Sequence, residues 1–302
     1  MAELNKQLLF MINTGWTICI TAWQVTFFPK NNLGLKTKSM ITSRLGPIQI
    51  LQFQQFINLP GILQFTTSRE GKEGFNLGVY GEEDPVRAGE NRKQLAAALG
   101  ISNEKLLFTR QVHGNEMRLI GEDFFLLSAD KRKLALEGLD ALITAVPGVC
   151  LCALAADCSQ VLLVDPQQRV IATVHAGWRG TVNKLVCRVI EKMQAEFGSK
   201  PAEILAGIGP CISGKNYEVG EEVATLFEQQ FGKNERIILR KKEYTKAHVD
   251  IPAALHFSML GMGIKSQNIE ESGICTFDQA DVFYSARRGA AGRFCSGIMI
   301  EK

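Results

Sequence analysis

The chain has 302 residues, 46% of them hydrophobic and 22% charged, with a formal net charge of +3 at pH 7. This is the composition of an ordinary soluble globular protein, long enough for one large domain or two small ones. The charge argues against a nucleic-acid partner: the longest basic cluster, Arg240-Lys241-Lys242 with Lys246, has only Tyr244 as an aromatic neighbour and reads as a solvated face.

The N-terminal segment is atypical. Residues Gln7 to Pro29 carry no charge. As a membrane span the run is interrupted by Asn13, Thr14, Thr17, Thr21, Gln24 and Thr26. As an export signal it offers Lys6 balanced by Glu3 and no small-x-small cleavage site. Residues 1–39 are therefore expected to be a poorly ordered extension, with Met40 as the natural start. The folded unit is expected to span 40–302, and the protein to be cytoplasmic with no membrane partner.

Further along, Ile48–Phe56 and Leu63–Thr67 read as strands. Phe75-Asn76-Leu77-Gly78 reads as a loop whose glycine needs positive φ. Asp84 to Leu99 has helical spacing, with Val86, Leu95, Ala98 and Leu99 on one stripe and Gly100 as a stop. Strands are expected at Leu106–Val112, Asp140–Thr144, Val149–Ala155, Val161–Val164 and Val170–Val174, the last two joined by a turn at Asp165-Pro166-Gln167-Gln168. Val182 to Phe197 is a strong amphipathic helix, because Leu185, Val189, Met193 and Phe197 recur every four residues. A buried strand at Ile204–Ile208 follows, then helices at Val219–Phe231 and Ile251–Met262. Ile274–Thr276 is β-like, and Gly297–Ile300 is a last strand. Strands and helices alternate without an internal repeat or low-complexity linker, so the fold class is α/β, one domain from about Leu59 onward.

Three segments place a metal-binding side chain at a strand end or turn. His175 follows the apolar run Val170–Val174 and opens His175-Ala176-Gly177-Trp178-Arg179-Gly180. His113 precedes Gly114, and Cys158 follows Ala156-Asp157. The rim of an open α/β sheet is where such folds carry chemistry. Two imidazoles and a thiolate form a three-ligand set for zinc, with a fourth position open, and a metal so held lowers the pKa of water towards neutrality. Each of the three could equally be a packed or hydrogen-bonded residue.

No Cys-x-x-Cys pair occurs among the eight cysteines, and their spread favours reduced thiols over disulfides. Cys150, Cys152, Cys187 and Cys295 read as core. Cys211, after Gly209-Pro210, is a candidate exposed thiol. His248 and His256 are expected at the surface or in a supporting role. Arg179 stands in a glycine-rich turn ahead of a helix, a setting suited to phosphate or carboxylate. Arg287-Arg288 and Arg293, among Ser285, Gly289 and Gly292, form a second candidate anion loop. Either cluster could instead hold loops through carboxylates.

Taken in order, several motifs resemble the laccase-domain family, also called the polyphenol oxidase family. They are Thr67-Ser68-Arg69, Phe75-Asn76-Leu77-Gly78, Glu90-Asn91-Arg92, Gln111-Val112-His113-Gly114, Asp140-Ala141-Leu142-Ile143-Thr144 and Ala156-Asp157-Cys158. The series continues through His175 to Gly180, Gly209-Pro210-Cys211-Ile212, Tyr217-Glu218-Val219, Cys275-Thr276, Tyr284-Ser285-x-Arg287-Arg288 and Gly292-Arg293. The resemblance covers roughly residues 60 to 300. It departs from the family's usual pattern at Gln160, where proline is common, and at Ala291, where threonine is common.

The resemblance implies a single-domain α/β/α sandwich with a mixed sheet, and a catalytic metal on His113, Cys158 and His175. It implies zinc-dependent phosphorolysis of adenosine, inosine, guanosine and methylthioadenosine, with deamination of adenosine. The partners would then be purine nucleosides and phosphate. Arg69 and Asn76, inside the matched motifs, join Arg179, Arg287 and Arg288 as candidate substrate-binding residues. One alternative is copper-dependent phenol oxidation, which four histidines restrict to less than a laccase-type trinuclear cluster. A further alternative is a cysteine amidohydrolase editing a peptidoglycan precursor, with Cys158 as nucleophile and His175 as base. A non-enzymatic metal-binding partner protein has no positive feature in its favour.

Overall fold

The structure, a computed structural model, describes residues 16–21, 24–29, 40–69, 74–79 and 85–302. The chain divides into two compact units, Met1–Lys36 and Thr37–Lys302. In the first, β1 (Trp16–Thr21) and β2 (Gln24–Pro29) pair as an antiparallel hairpin. The rest of the expectation for residues 1–39 lies outside the described residues, as do Glu70 and Gly71 of the turn after Arg69 and the expected helix start at Asp84.

The second unit carries two six-stranded mixed sheets. One runs, in spatial order, β3 (Ile41–Leu45), β4 (Ile48–Gln52), β5 (Ile62–Thr67), β16 (Phe294–Ile300), β9 (Cys150–Ala155) and β6 (Leu106–Phe108), antiparallel except for β6 on β9. The other runs β15 (Ile269–Glu271), β12 (Leu205–Ile208), β10 (Ser159–Asp165), β11 (Val170–Ala176), β8 (Ala141–Thr144) and β7 (Met117–Ile120), parallel at its two edges. The domain is the expected mixed α/β class, its strands divided between two sheets. The sheet also starts earlier than Leu59, because β3 and β4 belong to it.

Strand alternation explains the layering. Side chains of successive residues leave a strand on opposite faces. In β10 and β11, Val161, Leu163, Val170, Ala172 and Val174 meet helices, while Leu162, Val164 and Ile171 join Leu151, Ile298 and Ile300 of the other sheet in one apolar cluster. In β9, Cys150, Cys152 and Leu154 face a third cluster with Leu95 and Leu99. Strands buried on both faces carry the near-continuous apolar runs seen in the sequence.

Among the described residues the α-helices are α1 (Gln54–Ile57), α2 (Pro85–Ala98), α3 (Ala129–Ala135), α4 (Trp178–Val182), α5 (Leu185–Phe197), α6 (Glu221–Phe231) and α7 (Ile251–Gly261). Several expectations change: the strand expected over Ile48–Phe56 ends at Gln52 and gives way to α1, and the strand expected over Leu106–Val112 ends at Phe108. The helix expected over Val182 to Phe197 begins at Leu185, because Lys184 takes the left-handed conformation at φ 57° and separates α4 from α5. On α2 the buried face is Ala88, Leu95 and Ala96, and Val86 is exposed. Among the described residues no helix is long and apolar enough to cross a membrane.

Candidate metal centre

His175 is near the end of β11, its ring buried between the sheets. Its Nδ1 lies 2.7 Å from Asp140 Oδ1. The same carboxylate accepts backbone N–H bonds from Val112 at 3.3 Å, His113 at 3.1 Å and Gly114 at 2.7 Å. One aspartate thus orients the His175 ring and pins the loop that presents His113. That loop is tight: His113 sits at φ 58°. The two imidazoles meet edge to face with centroids 4.9 Å apart.

Cys158 follows Asp157, which has φ 88°. The Asp157 carboxylate accepts Thr276 Oγ1 at 2.6 Å, Ser285 Oγ at 3.0 Å and the Arg287 N–H at 2.7 Å. This binds the Arg287 loop to the residue beside the cysteine. Gly177 closes the other side. A Cβ there would stand 3.1 Å from His113 Cδ2 and 3.2 Å from Cys158 Sγ, so glycine leaves the ligand atoms their room.

Among the described residues, His113, Cys158 and His175 are the one group of three or more His, Cys, Asp or Glu able to hold a metal ion. Their donor atoms all lie within 4.8 Å of one another, which puts a common centre at most about 2.8 Å from each; zinc bonds to these donors run about 2.0–2.3 Å. The electrostatics suit the role. Burial pushes the Cys158 thiol up, but the charge of His175 and the bond to His113 outweigh it and bring it down to about 6. Burial pushes His175 down, and the Cys158 charge with the Asp140 bond outweighs it, raising the ring to about 9. Burial works against the Asp140 carboxylate too, yet its bond and charge interaction with His175 hold it below the usual range.

The group opens into a cavity of about 630 Å³. Arg179, Arg287 and Arg293 contribute to its wall, with Trp178, Tyr217 and Gln111. The Arg179 guanidinium lies 4.3 Å from the Trp178 ring centroid, and that of Arg287 lies 5.3 Å from Tyr217. Arg179 is inside α4 rather than in a turn ahead of a helix. Burial and the Cys158 charge push the Tyr217 phenol up to about 12, so it stays a neutral hydrogen-bond donor.

Other candidates lie outside that wall. Arg288 donates from Nε to the Phe277 carbonyl and stacks on the Phe277 ring at 4.0 Å. Arg69 lies over Tyr284 at 5.2 Å. Asn76 shapes the wall indirectly: its Oδ1 accepts the N–H of Gly78 at 2.9 Å and of Arg293 at 2.8 Å, two residues that do line the cavity. Gly78 does not have the expected positive φ. Its need is space, since a Cβ would stand 3.0 Å from Arg293 Cγ.

Cys211 is buried, and burial drives its thiol well above the ordinary value, so the exposed thiol expected after Gly209-Pro210 is absent. His248 and His256 are buried rather than superficial, with Nδ1 atoms on the Gly214 carbonyl at 3.0 Å and Glu271 Oε1 at 2.6 Å. Asp140 was not among the sequence candidates. Its one signal was an acid opening the apolar strand of a matched motif.

Residues 64–301 match the family described as multi-copper polyphenol oxidoreductase laccase. A purine nucleoside phosphorylase of Bacteroides thetaiotaomicron is 37% identical over 262 residues, covering 84% of this chain and 97% of the relative. Adenosine deaminase RL5, from an unknown prokaryotic organism, is 35% identical over 249 residues, covering 80% and 95%. Among solved structures, YlmD of Geobacillus stearothermophilus superposes with a TM-score of 0.77 at 23% identity, over 87% of this chain and 100% of that one. The Bacillus licheniformis hypothetical protein YfiH gives 0.76 at 24%, over 85% and 98%. The solved structures share the fold.

Proposed function

The chain belongs to the multi-copper polyphenol oxidoreductase laccase family, and from that premise we propose that it is a zinc-dependent purine nucleoside enzyme. Its reactions are phosphorolysis of adenosine, inosine, guanosine and methylthioadenosine, and deamination of adenosine. The observation that carries the reading is the His113–Cys158–His175 group at an arginine-walled cavity, in a chain whose relatives are named for these two activities.

The donor set fits zinc: two imidazoles, a thiol drawn towards thiolate, and a carboxylate that takes His175 Nδ1 and leaves Nε2 as its ligand atom. A zinc ion there would supply Lewis acidity and lower the pKa of water. The residues do the rest. Arg179 and Arg287 hold phosphate as paired cations, with Asp157 fixing the Arg287 backbone. Tyr217, neutral at working pH, donates a hydrogen bond to the nucleoside. The family's description names copper, but His248 and His256 are bonded elsewhere, which leaves two histidines for the cavity.

A second reading rests on the Asp140–His175–Cys158 series, an arrangement that also activates a cysteine nucleophile for amide hydrolysis. Metal analysis of protein purified without added metal, followed by adenosine turnover with and without phosphate, separates the two. The nucleoside reading expects one equivalent of zinc, base release that needs phosphate, and loss of both metal and turnover in Cys158→Ala. Arg287→Ala should raise the KM for phosphate more than that for the nucleoside. Unchanged adenosine in both assays would reject this function.

A further inference from the structure

Gln160 is the second residue of β10, two positions after Cys158 and directly paired with His175 across the β10–β11 ladder. Its side chain is fully buried between the sheets. Nε2 donates to the Cys158 carbonyl at 3.0 Å, and Oε1 accepts the Ser296 hydroxyl at 2.9 Å. The serine proton is thereby used, so in the 2.8 Å contact between Ser296 Oγ and Thr66 Oγ1 the threonine is the donor. The Gln160 carbonyl accepts the Gly209 N–H at 2.8 Å, and a Cβ on Gly209 would stand 3.2 Å from Gln160 Oε1. The Cys158 carbonyl, which can only accept, fixes the orientation of the amide. Turning it over would set Oε1 against the Cys158 carbonyl, and a buried polar group left unpaired costs about 1–3 kcal/mol. The Cys158 peptide is therefore tied to β5 and β16 of the opposite sheet, not only to its own strand.

We propose that Gln160 is a positioning residue for Cys158. Its amide fixes the Cys158 peptide, and through it the direction in which the thiol faces His113 and His175. Asp140 does the same for the two histidines, so each ligand is aimed by a buried polar side chain. The inference rests on the reading of His113, Cys158 and His175 as metal ligands.

The test uses cobalt(II) as the probe, titrated into chelator-treated protein and followed by the thiolate-to-cobalt absorbance and by competition with a chromophoric chelator. Gln160→Met keeps the volume and removes both amide bonds. It should weaken cobalt binding about 10- to 100-fold, the range for losing a residue that orients a ligand, and shift or weaken the thiolate band. Ser296→Ala cuts only the far end of the chain of bonds. It should give a smaller change in the same direction, and it carries the test if Gln160→Met does not fold. Variants that melt at a lower temperature yet bind cobalt with the unaltered band and affinity would show a purely structural role and overturn the inference. A thiolate band missing from the unsubstituted protein would overturn the metal reading and this inference together, an outcome distinct from the first.

Discussion

At the scale of single residues, the centre combines strain with charge. His113 and Asp157 are non-glycine residues at positive φ, a conformation costing about 1–3 kcal/mol and met where surroundings over-determine it. Asp140 and the three donors on the Asp157 carboxylate are those surroundings. The proton affinities of the Cys158–His175 pair give a signed prediction. A metal binds thiolate and neutral imidazole, so bound protons must leave. With Cys158 at about 6 and His175 at about 9, the pair releases one proton per metal between those values and two below about 6. Affinity should rise with pH by about tenfold per unit in the first window and about a hundredfold per unit below it. Zinc titrations against a competing chelator from pH 5 to 9 would read this, and flat affinity between 6 and 9 would contradict the pair's assignment. Asp140→Asn tests the carboxylate. An amide replaces one oxygen where His113, Gly114 and Val112 N–H groups converge, so at least one donor loses its acceptor. Metal affinity should fall about 10- to 100-fold, and stability by about 1–3 kcal/mol in denaturant melts. Wild-type affinity in this variant would mean that Asp140 supports the loop without orienting the ligand.

At the scale of elements, the break between α4 and α5 was invisible to periodicity. Val182 through Phe197 keeps an unbroken apolar repeat, and nothing in the lysine at 184 announces a left-handed residue. The break has a use: it sets α4 as a separate turn carrying Trp178 and Arg179 to the cavity while α5 packs Leu185, Val189 and Met193 under β11. Lys184→Gly should relieve the backbone and raise stability by up to about 1 kcal/mol, with turnover unchanged; a lower melting temperature would show that the lysine side chain holds more than the backbone loses. The strands buried on both faces were legible because their apolar runs are long and bounded by turns. The short strands β7 and β15, at the two edges of their sheet, were not, since three or four residues carry no readable period. Of the three metal-centre candidates, His175 stands next to last in β11 and Cys158 directly before β10, as the sequence suggested, whereas His113 lies in a loop because the strand expected over Leu106–Val112 stops at Phe108. Asp140 and Gln160 were not legible, because their importance lies in which distant backbone groups they reach, and only the folded pairing of β8, β10 and β11 brings those groups within bonding distance.

At the scale of the molecule, the question is where the catalytic unit begins. The sequence motifs start after residue 60, yet the sheet begins at Ile41, and Met40 is buried in the cluster between the two sheets at 7% exposure. A chain begun at Met40 would place a charged ammonium group on a residue whose side chain is packed, beside the first ladder pair, Ile41 with Gln52. The division between compact units falls earlier, between Lys36 and Thr37. Removing residues 1–36 should therefore leave the second unit with its full set of ladder pairs, and a two-stranded hairpin such as β1–β2 is at best marginally stable alone. The shortened chain should bind metal with unchanged affinity, turn over nucleoside at the full rate, and melt within about 2 °C of the full chain, less than the effect of about 1 kcal/mol in a domain of this size. Removing residues 1–39 instead should lower the melting temperature measurably with the metal centre intact, because only the entry to β3 is disturbed. Loss of metal binding on deleting residues 1–36 would show that the centre depends on the first unit, and the domain boundary would have to move.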